Sequence, residues 1–155
     1  MDADQAGTDI ADLVTPRSVI AQLRAPTKRQ VLQELARRAA ATTGLPDRRI
    51  YDALAERERL GTTGIGTGVA IPHCRLSELT RLHGMFARLE RPVPFEAIDN
   101  EPVDLVFLLL APLDAGAEHL KALARISRLL RDRAMCEKLR GANSADALYA
   151  LLAGS

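Results

Sequence analysis

Three residues far apart in this sequence, Arg57, His73 and His119, carry the side chains best suited to chemistry on an anion. A neutral imidazole is a nucleophile near neutral pH, and a second imidazole with a guanidinium can hold the oxygens of an incoming group. His73 ends the stretch Gly61–Arg75, "GTTGIGTGVAIPHCR", in which Gly61, Gly64, Gly66 and Gly68 fall close together. A loop this permissive lets backbone amides converge on an oxyanion. In that reading Thr63, Gly64, Gly66 and Gly68 form a phosphate-binding loop, and the combination suits transfer of a phosphoryl group to His73. Each residue also has a purely structural reading. The glycines could serve a tight helix-to-strand turn needing positive φ. The histidine could be hydrogen-bonded scaffolding, and the arginine a snorkelling side chain or half of an ion pair.

The elements around these residues follow from periodicity and punctuation. "RSVIAQL" after Pro16 reads as a strand. Thr27 and Gln30 form a capping box, Val31, Leu32, Leu35 and Ala39 a helical stripe, and Gly44 a stop. A second helix is predicted from Pro46 to Leu60, closed by Gly61, with Arg57 on the inward stripe of Ile50 and Leu54. The glycine loop therefore follows a helix and feeds a strand, "VAIP", the reverse of the order in a dinucleotide fingerprint. His73 should stand at the end of that strand, where Pro72 stops the ladder. "LHGMFARL" alternates as a strand opening with His83, read as a surface residue. Val103–Leu110 is apolar on both faces and must be central. Helices are predicted over Ala117–Arg131, Ala134–Arg140 and Ala145–Leu152. In the first, His119 begins the inward stripe Leu123, Ile126, Leu130. The pattern implies an α/β fold, a sheet covered by helices on both faces.

Composition narrows the function classes. A chain of 155 residues suits one domain, here placed at 10–155 behind a flexible tail at 1–9. With no Trp, two Tyr and three Phe, the core must be aliphatic. A net charge of +1 without a basic, aromatic-interleaved run argues against nucleic-acid binding. Cys74 and Cys136 have neither disulfide-framework nor zinc spacing, no HExxH-type pattern marks a metal site, and no cofactor is expected. The apolar run Val106–Leu113 is far short of the ~20 residues of a membrane span, and the acidic N-terminus is unlike a secretory signal, so a cytoplasmic location is expected.

"RERLGTTGIGTGVAIPH", followed by "AIDNEPVDLVFLLLAP" and "EHLKAL", resembles the mannitol/fructose-type (type 2) enzyme IIA domain of the bacterial phosphotransferase system, and within it the nitrogen-related regulatory branch. The similarity runs from about Ile10 to Leu152. It implies a mixed sheet of about five strands between helical layers, and His73 as phosphoryl acceptor at Nε2. It also implies Arg57 and His119 as supporting residues and an HPr-like phosphocarrier protein as donor, with regulated target proteins unknown. Two positions depart from the nitrogen-type pattern: Cys74 where glycine is common, and Thr67 where asparagine is common. The donor is expected to dock around Ile65, Thr67 and residues 93–98. The competing expectations are a transport-type IIA passing phosphate to a IIB domain, a Cys74/His119 hydrolase, and an interaction module without phosphoryl chemistry.

Overall fold

The computed structural model describes residues 9–155. The expected tail at 1–9 therefore lies outside the described residues except for Asp9, whose carboxylate pairs with Arg125 at 3.1 Å. The elements in order are α1 (Ile10–Leu13), a 3-10 turn (Pro16–Ser18), β1 (Val19–Leu23), α2 (Lys28–Thr43) and α3 (Asp47–Leu60). They continue as β2 (Gly64–Gly66), β3 (Val69–Ala70), β4 (His73–Leu76), β5 (His83–Val93), β6 (Val103–Pro112), α4 (Gly116–Arg131), α5 (Arg133–Gly141) and α6 (Ala145–Ala153). Thr27 caps α2 by accepting from the Gln30 amide at 3.2 Å, and Gly44 ends it at φ +77°.

One six-stranded mixed sheet runs in the order β1-β5-β6-β3-β2, with β4 also on β6. Strand β6 is its axis: β5 pairs with it antiparallel, β3 and β4 parallel. Alternation along β6 sends Leu105, Phe107 and Leu109 into one apolar layer and Val106, Leu108 and Leu110 into the other. The first layer is closed by α4, α5 and α6 through Ile126, Leu130, Leu139 and Leu148. The second is closed by α2 and α3 through Leu32, Leu35, Ile50 and Leu54. The helices thus cover both faces, as the apolar pattern requires.

The sheet has six strands, not about five, because the glycine stretch is itself a hairpin. Gly64 and Gly66 pair with Ala70 and Val69 across a two-residue turn, Thr67–Gly68, whose φ values are +55° and +82°. Two successive positive φ angles are what a tight hairpin turn with native twist demands. Thr67 tolerates its angle because the carboxylate of Asp99 accepts from its amide at 2.9 Å and Arg140 donates to its carbonyl at 2.9 Å. Gly68 leaves room for this arrangement: a Cβ there would stand 2.6 Å from the Arg140 guanidinium. Residue 73 also differs from expectation. It does not end a strand but begins one, because Pro72, although it has no amide to give, accepts from the Leu109 amide at 3.0 Å and keeps the chain beside β6.

Arg88, half-buried on β5, joins sheet to helices. Its Nε donates to the Ala21 carbonyl at 3.0 Å, and its Nη1 to the carbonyls of Leu139 (2.9 Å), Arg140 (3.3 Å) and Ala142 (2.6 Å) at the end of α5. A cation there answers both the unpaired carbonyls and the negative end of the helix. Arg88→Met keeps the stem and removes the donors. It is expected to cost about 2 kcal/mol, seen as a lower urea midpoint at unchanged slope.

Candidate functional site

His73 is positioned by backbone. It pairs with Leu109 of β6, and its ring Nδ1 lies 2.8 Å from the carbonyl of Ile71, two residues back. A carbonyl can only accept, so Nδ1 carries the proton and the lone pair of the neutral ring is at Nε2. Pro72, between the two, fixes its own φ and biases Ile71 to an extended conformation, which holds this short contact. The ring is partly exposed. Burial pushes its pKa below the ordinary histidine range, the Ile71 carbonyl opposes that by stabilising the cation, Arg57 lowers it again and Glu58 raises it.

His119 comes from the first turn of α4 and is 5% exposed. The centroid of its ring is 5.6 Å from that of His73, with the planes at 66°. Arg75 Nε donates to His119 Nδ1 at 3.1 Å, which leaves the ring proton on Nε2. That Nε2 is buried and has no hydrogen-bond partner. Burial, then the neighbouring His73 and Arg75, bring the pKa of His119 down to about 4, so the ring is neutral at pH 7. A buried donor without an acceptor is costly, and it marks the place where an anion would find one.

Arg57 lies in the last turn of α3 but does not turn into the apolar stripe. It is half-buried, donates from Nη1 to the Gly61 carbonyl at 2.8 Å, and its charge is felt by His73. Of the three residues expected to meet, His73 and His119 are in ring contact, while Arg57 bonds the Gly61 carbonyl and acts on His73 through its charge.

The loop amides do not stand free as expected. Glu58, with a side chain 7% exposed, accepts from the Thr63 amide at 3.0 Å and from the Thr63 hydroxyl, and pairs with Lys28 at 3.0 Å. The Gly64 amide donates to Thr62 Oγ1 at 3.0 Å, while Gly66 and Gly68 hold the hairpin. Thr63 and Gly64 are thus engaged within the protein, because a short loop beside a buried carboxylate satisfies its donors locally. Glu58 and Arg75 escaped the sequence reading. Arg75 had a signal: it is two residues from His73 on a strand, hence on the same face. Glu58 had none: Thr63 is five residues away, a spacing with no regular pattern, and Lys28 becomes its neighbour only when α2 and α3 pack.

The same alternation removes Cys74 from the site. It belongs to the layer under α2 and α3, opposite His73, and burial pushes its thiol up to about 12. A thiol that stays protonated is a poor nucleophile, which disfavours the hydrolase expectation. His83 pairs with Leu110, in register with Cys74, so it faces away from His73; it is half-buried and not on the surface as expected. Among the described residues no group of three or more His, Cys, Asp or Glu could hold a metal ion, and no helix is long and apolar enough to cross a membrane. Four large apolar side chains are exposed: Leu60 and Ile98 (79% and 77%) beside the glycine hairpin, and Leu113 and Leu120 (60% and 64%) on either side of His119 in the chain.

Known proteins share the sequence and the fold. A nitrogen regulatory protein of Bradyrhizobium diazoefficiens is 55% identical over 144 residues, covering 93% of this chain and 94% of the relative. The nitrogen regulatory protein of Escherichia coli K12 is 42% identical over 127 residues, 81% of this chain and 78% of the relative. The crystal structure of nitrogen regulatory protein IIA-Ntr from Neisseria meningitidis superposes with a TM-score of 0.88 at 31% identity, covering 92% of this chain and 98% of that one. The mannitol IIA of Escherichia coli, at 20% identity and a TM-score of 0.75 over 90% and 98% of the two chains, shares the fold. Residues 12–155 match the family described as phosphoenolpyruvate-dependent sugar phosphotransferase system, EIIA 2, and on these grounds the chain belongs to the type-2 enzyme IIA family.

Proposed function

We propose that His73 accepts a phosphoryl group at Nε2 from the phosphohistidine of an HPr-like carrier, and that the resulting change of charge regulates partner proteins, as the relatives' name, nitrogen regulatory protein, suggests. The observation that carries this reading is the pair of committed tautomers: a lone pair at His73 Nε2, and a partnerless buried Nε2–H on the adjoining His119 ring.

In the proposed step the His73 Nε2 lone pair forms a bond to phosphorus as the donor's P–N bond breaks, its electron pair returning to the donor imidazole. The His73 ring becomes cationic, and the Ile71 carbonyl at Nδ1 stabilises that charge. His119 Nε2–H donates to a phosphoryl oxygen. Arg57, which gives one N–H to Gly61, retains others for the remaining oxygens. The reaction exchanges one P–N bond for another, so the site mainly has to orient groups and screen charge. The exposed Leu60, Ile98, Leu113 and Leu120 would offer a carrier apolar surface for docking. Phosphorylation would add roughly two negative charges at His73, which would release a partner that accepts only the neutral face.

Incubation with enzyme I, the carrier and phosphoenolpyruvate should add the mass of one acid-labile phosphoryl group. His73→Ala should take up none, and Arg57→Ala should react on the order of 100-fold more slowly while remaining folded. Acid-labile label on the His73→Ala protein would refute the assignment, and unmodified wild-type protein would favour a pure interaction module.

Both imidazoles must be neutral for this step, which has a cost in acid. The folded protein binds a proton at His119 only near pH 4, whereas the unfolded chain does so near the ordinary 6.5, so the unfolded state gains protons first and stability falls as pH drops through that window. His73, shifted in the same direction, adds to the loss. The unfolding free energy from urea titrations should therefore decline between pH 7.5 and 5 by on the order of 2 kcal/mol, and less steeply in His119→Gln.

A further inference from the structure

Arg75 is exposed, yet its one described hydrogen bond goes inward, to a buried ring. It follows His73 by two residues on β4, pairs with Ala111 of β6, and so leaves the sheet on the side of α4. Its Nε lies at the depth where the stem meets the guanidinium, and it reaches His119 Nδ1 at 3.1 Å. A guanidinium does not lose its protons in proteins, so Nε is a donor under all ordinary conditions. A neutral imidazole has one proton and two places for it; the choice is set by what the other nitrogen meets. No other hydrogen bond holds the ring: Nε2 has no partner, and no other hydrogen bond to Nδ1 is present among the described residues.

We infer that Arg75 is a positioning residue which holds the His119 ring in one orientation and one tautomer, so that its single proton sits on Nε2 beside His73. The inference deepens the phosphoryl-acceptor reading and rests on it for its consequence, although the ring geometry can be read without any phosphoryl group. Arg75 contacts neither the nucleophile nor the incoming oxygens in this role. It acts through His119, and it does so from the strand that carries His73, so the two imidazoles are registered by a single four-residue strand. Burial keeps the donor neutral, and the His73 ring and the Arg75 cation add to that in smaller measure.

Two substitutions separate the donor from the charge. Gln places an amide N–H at the reach of the arginine Nε without a charge, whereas Met has similar length and no donor. The 15N shifts of the His119 ring, measured on unphosphorylated protein at pH 7, should show an unprotonated Nδ1 and a protonated Nε2 in the wild type and in Arg75→Gln. In Arg75→Met the two shifts should move toward each other as orientations and tautomers mix. The maximal rate of phosphoryl uptake should fall about ten-fold in Arg75→Met with little change in the carrier concentration for half-maximal rate, and stay within about two-fold in Arg75→Gln. A wild-type ring protonated at Nδ1 overturns the inference. So do unchanged ring shifts in Arg75→Met, a ring that responds while the rate does not, or an Arg75→Gln protein as impaired as Arg75→Met. If the ring responds as stated but wild-type protein takes up no phosphoryl group, the positioning of His119 stands and the acceptor reading fails.

Discussion

The contact on which the site depends is the hydrogen bond from His73 Nδ1–H to the Ile71 carbonyl, and it exists because β6 holds the chain on both sides of Pro72. Residues 69–70 pair with Leu105 and Val106, residues 73–76 with Leu109 to Pro112. Between them a proline interrupts the donors but not the path. Strand β6 is buried on both faces, so its register is under strong apolar constraint: a slip by one residue would exchange Leu109 with Leu110 and turn His73 to the opposite layer. The position of a nucleophilic nitrogen is in this way tied to the best-buried element of the protein.

Around that nitrogen, polar groups divide into those bound internally and those left for a ligand. Glu58 takes the Thr63 amide and hydroxyl and neutralises Lys28, fixing the start of the glycine hairpin to the ends of α2 and α3. Asp99, Asp104 and Arg140 fix its tip. What remains for an anion is side-chain donors: the His119 Nε2–H and the free part of Arg57. Under the proposed role, in which a phosphoryl group would arrive from one protein and be available to another, this allocation fits. A full ring of backbone donors would bind the phosphorylated state tightly, and uniform tight binding lowers the energy of the intermediate without lowering the barrier out of it.

Neighbouring residues on β4 have opposite fates for the same geometric reason. His73 and Arg75 face α4; Cys74 and Leu76 enter the core under α2 and α3. The thiol adjacent in sequence to His73 is therefore separated from its ring by the sheet, and burial keeps it protonated. A cysteine in place of a glycine is accommodated there as a small apolar residue.

Much of the architecture could be read from the chain itself. Capping residues and stops set α2 and α3, a run apolar on both faces identified β6, and the 3.6-residue stripe put His119 on the inner side of α4, because all of these are local or periodic signals. Residue type and position, together with the resemblance in "RERLGTTGIGTGVAIPH" and "EHLKAL", singled out His73, Arg57 and His119. Only the tertiary structure decided that the glycines fold as a hairpin in which the Thr63, Gly64 and Thr67 amides are bonded internally, that Arg57 turns to the Gly61 carbonyl instead of the apolar stripe, that Glu58 binds Thr63, and that Arg75 reaches His119. The hairpin and the Arg75–His119 contact rest on hydrogen bonds between side chains and partners 32 to 73 residues apart. Such bonds leave no period and no spacing in a sequence, since their strength depends on distances that exist only after the layers have packed.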